Sequence, residues 1–143
     1  MPSFDLPQTQ QDALLQAARQ ARRNAYAPYS NYPVGAAVLD EQGRIHCGCN
    51  VENAAYPEGL CAEAAALAAM VLAGGRQARA VLVVGNGGDG NWITPCGGCR
   101  QKLREFGAPD LPVLSANEVA LGPRYTLSQL LPESFGPGHI KAK

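Results

Sequence analysis

Apolar and polar positions change period along this chain, and each change marks an element. Across residues 8–25 the apolar positions are Ala13, Leu14, Leu15, Ala17, Ala18 and Ala21, with Gln and Arg interleaved. That spacing predicts an amphipathic helix whose Gln/Arg face meets solvent. Asp12 lies early in it and Arg22 and Arg23 late, the placement a helix dipole favours. Ala27-Pro28-Tyr29-Ser30-Asn31-Tyr32-Pro33 brackets turn formers with two prolines and predicts a loop. Residues 34–39 and 44–51 read as strands, and the turn Asp40-Glu41-Gln42-Gly43 between them predicts an antiparallel hairpin. Residues 61–73 are apolar on nearly every side and stop at Gly74-Gly75. Ala and Leu are the strongest helix formers, so this is a helix expected to be covered on all sides. Residues 78–85 form a buried strand followed by a glycine-rich turn at 86–90. Residues 101–106 form a helix stopped by Gly107, residues 111–115 a shorter strand, and residues 126–131 a last small helix before Pro132.

Helix, hairpin, helix, strand, helix, strand, helix is an order that argues for one mixed sheet with helices on its faces. There is no internal repeat and no linker long enough to divide the chain, so residues 1–143 read as a single domain. A length of 143 residues and 46% apolar content suit a real hydrophobic core. Twelve basic and twelve acidic residues give formal net charge zero, which supplies no field for a long nucleic acid or an anionic membrane. The longest apolar run is too short and too rich in Ala to span a bilayer. Met1-Pro2-Ser3-Phe4-Asp5-Leu6-Pro7 lacks the basic flank and apolar core of a signal peptide. The expected location is a reducing cytoplasm, and five cysteines, an odd count, do not suit a secreted disulfide framework.

The chemistry concentrates at two helix starts. Cys61-Ala62-Glu63 opens the alanine-rich helix, where a buried acid is costly unless it has a partner or a task. Pro95-Cys96-Gly97-Gly98-Cys99 supplies a C-x-x-C pair beside the next helix. A catalytic zinc takes three protein ligands and keeps one position open, and Cys61, Cys96 and Cys99 could fill that set. Helix N-termini favour thiolates there, and Glu63 could reach a metal-bound water without binding the metal. The competing reading is a redox pair at Cys96 and Cys99, with Cys61 a small core residue and Glu63 a helix-start acid. Cys47 and Cys49 lie two apart on a strand, share a face and read as small residues facing a core. His46 alternates with them and His139 lies in a Gly/Pro-rich tail. Neither adjoins a nucleophile, which leaves a Ser/His or Cys/His hydrolase without support.

Together these motifs resemble the zinc deaminases, with their Cys₃ or His/Cys/Cys zinc and non-ligand Glu. Further stretches resemble cytidine deaminases in particular. They are Tyr26-Ala27-Pro28-Tyr29-Ser30-Asn31-Tyr32-Pro33-Val34-Gly35-Ala36, Gly48-Cys49-Asn50-Val51-Glu52-Asn53-Ala54-Ala55-Tyr56, and Leu130-Leu131-Pro132-Glu133-Ser134-Phe135-Gly136. The similarity runs from about residue 10 to 138, and the length resembles the small, homotetrameric branch of the family. The resemblance implies an α/β fold of three layers, α/β/α, with a mixed central sheet of about five strands. It implies one zinc per chain on Cys61, Cys96 and Cys99, which activates water for attack on C4 of the cytosine ring. Glu63 would shuttle the proton, and the product would be uridine or deoxyuridine with ammonia released, as in pyrimidine salvage. It further implies that Asn50 and Glu52 bind the ribose 3′-hydroxyl and that Tyr32 packs near the base. The Ala62 N–H and Thr94 carbonyl would read the pyrimidine edge, and Tyr56 and Phe135 would meet a neighbouring subunit.

Many small cytidine deaminases carry Arg directly after the catalytic Glu, where this chain has Ala64. Three thiolates on Zn²⁺ leave one excess negative charge, and Arg100 together with the helix N-termini are the candidates to offset it. Blasticidin-type deaminases share the zinc motifs, but Asn50-Val51-Glu52 suits a ribose. Editing deaminases usually have His as the first ligand and need a basic surface. An inactive structural zinc protein would not need Glu63. On this reading Arg100→Ala lowers kcat/KM more than loss of an arginine on the solvated face of the first helix, such as Arg22. Equal effects would remove Arg100 from the charge balance.

Overall fold

The computed structural model describes residues 6–87 and 90–140. The chain ends, and residues 88–89 of the expected glycine-rich turn, lie outside the described residues. Among the described residues four α-helices and five strands follow one another as α1 (Gln8–Arg23), β1 (Gly35–Asp40), β2 (Ile45–Cys49), α2 (Ala62–Leu72), β3 (Ala78–Val84), α3 (Gly97–Phe106), β4 (Pro112–Ala116), β5 (Leu121–Thr126) and α4 (Leu127–Leu130). The sheet order is β2-β1-β3-β4-β5. Only β3 and β4 run parallel, joined through α3, and the other pairs are antiparallel, so the sheet is mixed as expected. Among the described residues no helix is long and apolar enough to cross a membrane.

Alternation along the strands builds two cores. Ala37, Leu39, Leu82, Val84 and Leu114 face Leu14 and Ala18 of α1. Ala36, Val38, Val81, Val83 and Val113 face Ala66, Leu67 and Met70 of α2 and Leu103 of α3. The outcome is the three-layer α/β/α sandwich. The hairpin pairs as its pattern predicts, Gly35 with Cys49 through Leu39 with Ile45.

The structure corrects four expectations. First, α2 is not covered on all sides: Ala68 and Leu72 are exposed, because the helix is an outer layer and its far side is left uncovered by the described residues. Its alanines serve close approach instead. A Cβ on Gly48 of β2 would lie 2.5 Å from Ala66 N and 2.7 Å from Ala62 O, so Gly48 lets the helix backbone sit directly on the strand. Second, α3 starts at Gly97 rather than 101, making the C-x-x-C segment its first turn despite the low helix propensity of Gly97 and Gly98. Third, β5 is absent from the apolar pattern because Gly122, Pro123 and Arg124 interrupt it; an edge strand tolerates Pro, and Gly122 leaves room for the Trp92 ring. Fourth, Cys47 is exposed and Cys49 half-buried, because β2 is the outermost strand and covers little of its side chains.

One buried charge anchors the end of the sandwich where the hairpin turns. Asp40 is fully buried, yet its carboxylate takes four hydrogen bonds. Oδ1 accepts from the Gln42 and Arg44 backbone N–H groups at 2.8 and 2.9 Å, and Oδ2 from Arg44 Nε at 2.9 Å and His46 Nε2 at 2.8 Å. Arg44 Nη1 continues to Ala73 O at the end of α2, 3.0 Å away. Burial by itself pushes the Asp40 carboxyl up, but the hydrogen bonds from His46, Arg44 and Gln42 outweigh it and hold it well below the usual carboxylate range. A carboxyl lowered on folding contributes stability that is present above its unfolded pKa of about 3.9 and is lost as pH falls towards the folded value. Asp40→Asn is therefore expected to cost about 2–4 kcal/mol at pH 7 by denaturant unfolding, with parent and variant converging in stability as pH drops below about 4.

Candidate active site

Two helix N-termini meet where the segments following β2 and β3 lead into α2 and α3. Cys61 and Cys96 each stand immediately before their helix in extended backbone, with ψ of 152° and 168°. The Cys61 carbonyl accepts from Ala65 N–H at 3.1 Å and the Cys96 carbonyl from Arg100 N–H at 2.9 Å, closing the first turn of each helix. Cys99 lies in the first turn of α3, buried. The three sulfurs lie within 4.8 Å of one another, the one grouping of three or more metal-ligating side chains among the described residues. Zinc–sulfur bonds of about 2.3 Å put tetrahedral thiolates about 3.8 Å apart, so a zinc ion fits this set with small side-chain adjustment. Cys47 and Cys49 stand outside the cluster, as expected.

The electrostatics fit a cation equally well. Burial pushes the Cys61 thiol above its ordinary range, and the charges of Cys96 and Glu63 add to the effect. The Cys99 thiol is pushed up by burial first and then by Glu63, Cys61 and Cys96. The Cys99 backbone N–H holds the Cys96 thiol below its usual range. Cys61 and Cys99 resist ionising beside Cys96, and a divalent cation supplies the counter-charge that lets all three sulfurs ionise together. Against them sits Glu63, only 5% exposed. Burial raises its carboxyl above the usual range, while its own backbone N–H and the neighbouring Cys99 thiol pull the other way. Ala62, between the two, is buried, and its N–H is one of the first-turn donors that have no intrahelical acceptor.

Arg100 does not hover free beside the sulfurs. Its guanidinium donates to Pro95 O and Leu130 O, each at 2.7 Å, and to Thr94 Oγ1 at 2.8 Å. It fixes the strip that leads into Cys96 while leaving its positive charge close to the cluster. Arg22, expected on a solvated face, is only 13% exposed and bonded on every side, so it is no neutral comparator for Arg100. Arg23, 64% exposed, takes that place.

Beside the metal-ligating cluster, residues 50–52 are fastened between Tyr26 and Leu60 by backbone bonds of 2.8 to 3.0 Å. Asn50 Oδ1 accepts from Val34 N–H at 2.8 Å, and Nδ2 donates to Tyr32 O at 2.9 Å. Glu52 Oε1 accepts from the Tyr29 and Ser30 N–H groups at 2.9 and 3.0 Å, and Oε2 from the Ser30 hydroxyl. These bonds, the Ser30 hydroxyl foremost, hold its carboxyl below the usual range. A cavity of about 280 Å³ opens between Tyr29, Ser30, Glu52, Asn53, Tyr56 and Gly59, next to the chain that enters Cys61. Tyr32 is half-buried beside it and contributes its backbone oxygen to Asn50. Tyr56 is 75% exposed and reaches Tyr29 ring to ring at 6.0 Å. Phe135 is 56% exposed, stacks on His139 at 5.2 Å and is not among the residues lining the cavity. Ser30, Tyr29 and Asn53 were not singled out in the sequence as site residues, although all three fall inside the motifs quoted above.

A buried carboxyl seated against three thiols, at paired helix N-termini of an α/β/α sandwich, is the arrangement of the zinc-dependent deaminases. Comparison with known proteins agrees. Residues 8–115 match the cytidine and deoxycytidylate deaminase zinc-binding region, and the chain belongs to that family. A cytidine deaminase of Sporosarcina psychrophila is 41% identical over 124 residues, covering 87% of this chain and 90% of that protein. A cytidine deaminase of Mycobacterium tuberculosis is 41% identical over 131 residues, 92% of this chain and 93% of that protein. The crystal structure of the Burkholderia pseudomallei cytidine deaminase superposes with a TM-score of 0.80 at 44% identity, over 87% of this chain and 98% of the other. Zinc is thus the cofactor that both the family and the cysteine cluster call for.

Because thiols must ionise to bind the metal, zinc uptake by metal-stripped protein is expected to release about two to three protons per ion near pH 7 and to weaken steeply as pH falls. Proton release read with an indicator dye during a zinc titration checks this, and Cys99→Ser should reduce both the release and the affinity.

Proposed function

We propose that this chain catalyses the hydrolytic deamination of cytidine and deoxycytidine to uridine and deoxyuridine with release of ammonia, as a salvage enzyme of the cytoplasm. The observation that carries the reading is Glu63, buried in the first turn of α2 and held within reach of the Cys99 thiol. Cys61, Cys96 and Cys99 would hold one zinc ion per chain, and zinc bound there would supply a water acidic enough to act as hydroxide near neutrality. Glu63 accepts the proton of that water as oxygen bonds to C4 of the ring, and passes it to N3. Glu63 then carries the second proton to the exocyclic amine, so that the C4–N bond breaks and ammonia leaves. A carboxyl whose proton affinity burial has raised suits both halves of that transfer.

Substrate is oriented by groups whose own positions are fixed. The Ala62 N–H and the Thr94 carbonyl read the pyrimidine edge, and Arg100 steadies the latter through the Thr94 side chain. Asn50 and Glu52 receive the 3′-hydroxyl, a donor and acceptor that an amide and a carboxylate both suit. Tyr32 packs near the base. Tyr56 and Phe135, exposed in the single chain, serve as contacts in a homotetramer of single-domain subunits spanning residues 1–143. The partner class is a small nucleoside, with no nucleic acid or membrane involved.

Ammonia release from cytidine by protein of measured zinc content tests the proposal. Glu63→Gln is expected to retain zinc and fold while losing about 10²–10⁴-fold in kcat. A zinc-loaded parent with no activity on either nucleoside would overturn it. Arg100→Ala is expected to lower kcat/KM more than Arg23→Ala in the same assay.

A further inference from the structure

In the last turn of α1 the Arg22 side chain turns inward and joins three segments. Nε donates to Pro33 O at 3.1 Å in the loop entering β1, and Nη1 to Glu118 Oε2 at 3.3 Å in the β4–β5 turn. Nη2 donates to Asn86 Oδ1 at 2.6 Å, just beyond β3. The helix can stand this near β1 because position 35 is Gly: a Cβ there would lie 2.0 Å from Ala18 O and 2.6 Å from Arg22 N.

The bond to Pro33 matters most. Pro33 C=O and Val34 N–H belong to one rigid, planar peptide unit. Arg22 holds its oxygen, and its N–H donates to Asn50 Oδ1 at 2.8 Å. The adjoining Tyr32 carbonyl takes the Asn50 Nδ2 proton at 2.9 Å. The two contacts fix which way the Asn50 amide faces, leaving one Nδ2 hydrogen and one Oδ1 lone pair for a ligand. Pro33 has no N–H of its own to steady this strip.

We propose that Arg22 is a positioning residue for sugar recognition: by gripping the Pro33–Val34 peptide from behind, it sets the Asn50 amide to meet the 3′-hydroxyl of the nucleoside. The inference rests on the assignment of Asn50 and Glu52 to that hydroxyl, and it makes Arg22 a determinant of nucleoside affinity although it touches no substrate.

The test compares cytidine with 3′-deoxycytidine in the zinc-loaded parent and in Arg22→Ala, Arg22→Lys and Arg23→Ala. Parent is expected to lose about 10- to 30-fold in kcat/KM when the 3′-hydroxyl is removed. Arg22→Ala should lose a similar factor on cytidine, mostly through KM, and less than about 3-fold on 3′-deoxycytidine, so that discrimination collapses. Arg22→Lys keeps a charge beside Glu118, but one ammonium cannot grip Pro33 and Asn86 together; it should show the same selective loss and decides the matter if the Ala variant fails to fold. Arg23→Ala, which shares Glu118 but does not reach Pro33, should change neither substrate. An equal loss on both substrates in the Arg22 variants would overturn the inference and leave the assignment of Asn50 and Glu52 intact. A parent that does not discriminate the two substrates would overturn that assignment and the inference with it.

Discussion

Three sulfurs and a carboxyl are crowded at the meeting of two helix N-termini, where each group that ionises makes the next harder to ionise. The backbone positions that carry them are fixed by the first turns of two helices. Cys61 and Cys96 close the first turns of α2 and α3, Cys99 is buried inside one of those turns, and Glu63 is buried inside the other. The helix carrying Cys61 and Glu63 cannot lift away from the sheet cheaply, since its alanine backbone lies in direct contact with Gly48. The strip carrying Cys96 cannot slide, since Arg100 ties Thr94, Pro95 and Leu130 together. Repulsion confined in this way is relieved by a divalent cation, which is why metal binding and folding are coupled in such sites.

The segment proposed to meet the sugar is built on a different principle. There the chain supplies, besides one 3-10 turn at Tyr56–Glu58, only residues 26–34 and 50–60 laid alongside one another. Their side chains are fixed by backbone groups: Glu52 by two N–H groups and a hydroxyl, Asn50 by one N–H and one carbonyl. A polar group whose partners are already in place needs little reorganisation when a ligand arrives, and that is what makes binding of a single hydroxyl selective. The cost is a dependence on whatever holds those backbone groups, which links Asn50 through the Pro33–Val34 peptide to the end of α1.

Legibility in the sequence followed the physics of each element. The hairpin, α1 and β3 announced themselves through period, because each has one face or both in the core. The metal-ligating cysteines were legible through spacing, since thiols at helix starts with an adjacent acid form a rare pattern. Edge strand β5 was not, because an edge tolerates Gly122 and Pro123 and so loses the apolar signature. The start of α3 was hidden by Gly97-Gly98, whose poor propensity tertiary contacts override. Arg22 was misread as solvated because composition marks which face of a helix is polar and says nothing of loops that fold back onto it. Ser30 and Tyr29 act through backbone as much as side chain, and backbone contacts leave no residue-type signal.

Two buried acids near opposite ends of α2 show how environment separates a structural carboxyl from the one proposed to carry chemistry. Asp40, near the C-terminal end, takes four donors, two from Arg44 and His46 side chains, and is held ionised well below the carboxylate range. Such a group has no proton to give at any working pH, and its contribution is to join the hairpin turn to the end of the helix through Arg44. Glu63, at the N-terminal end, is nearly as buried but has sulfur and one amide for company, so its proton affinity rises. The helix N-terminus beside it limits that rise and keeps the carboxylate form accessible. What distinguishes the two is the number and charge of donors, a property that the letters Asp and Glu do not carry and that only the packing of α2 on the sheet assigns.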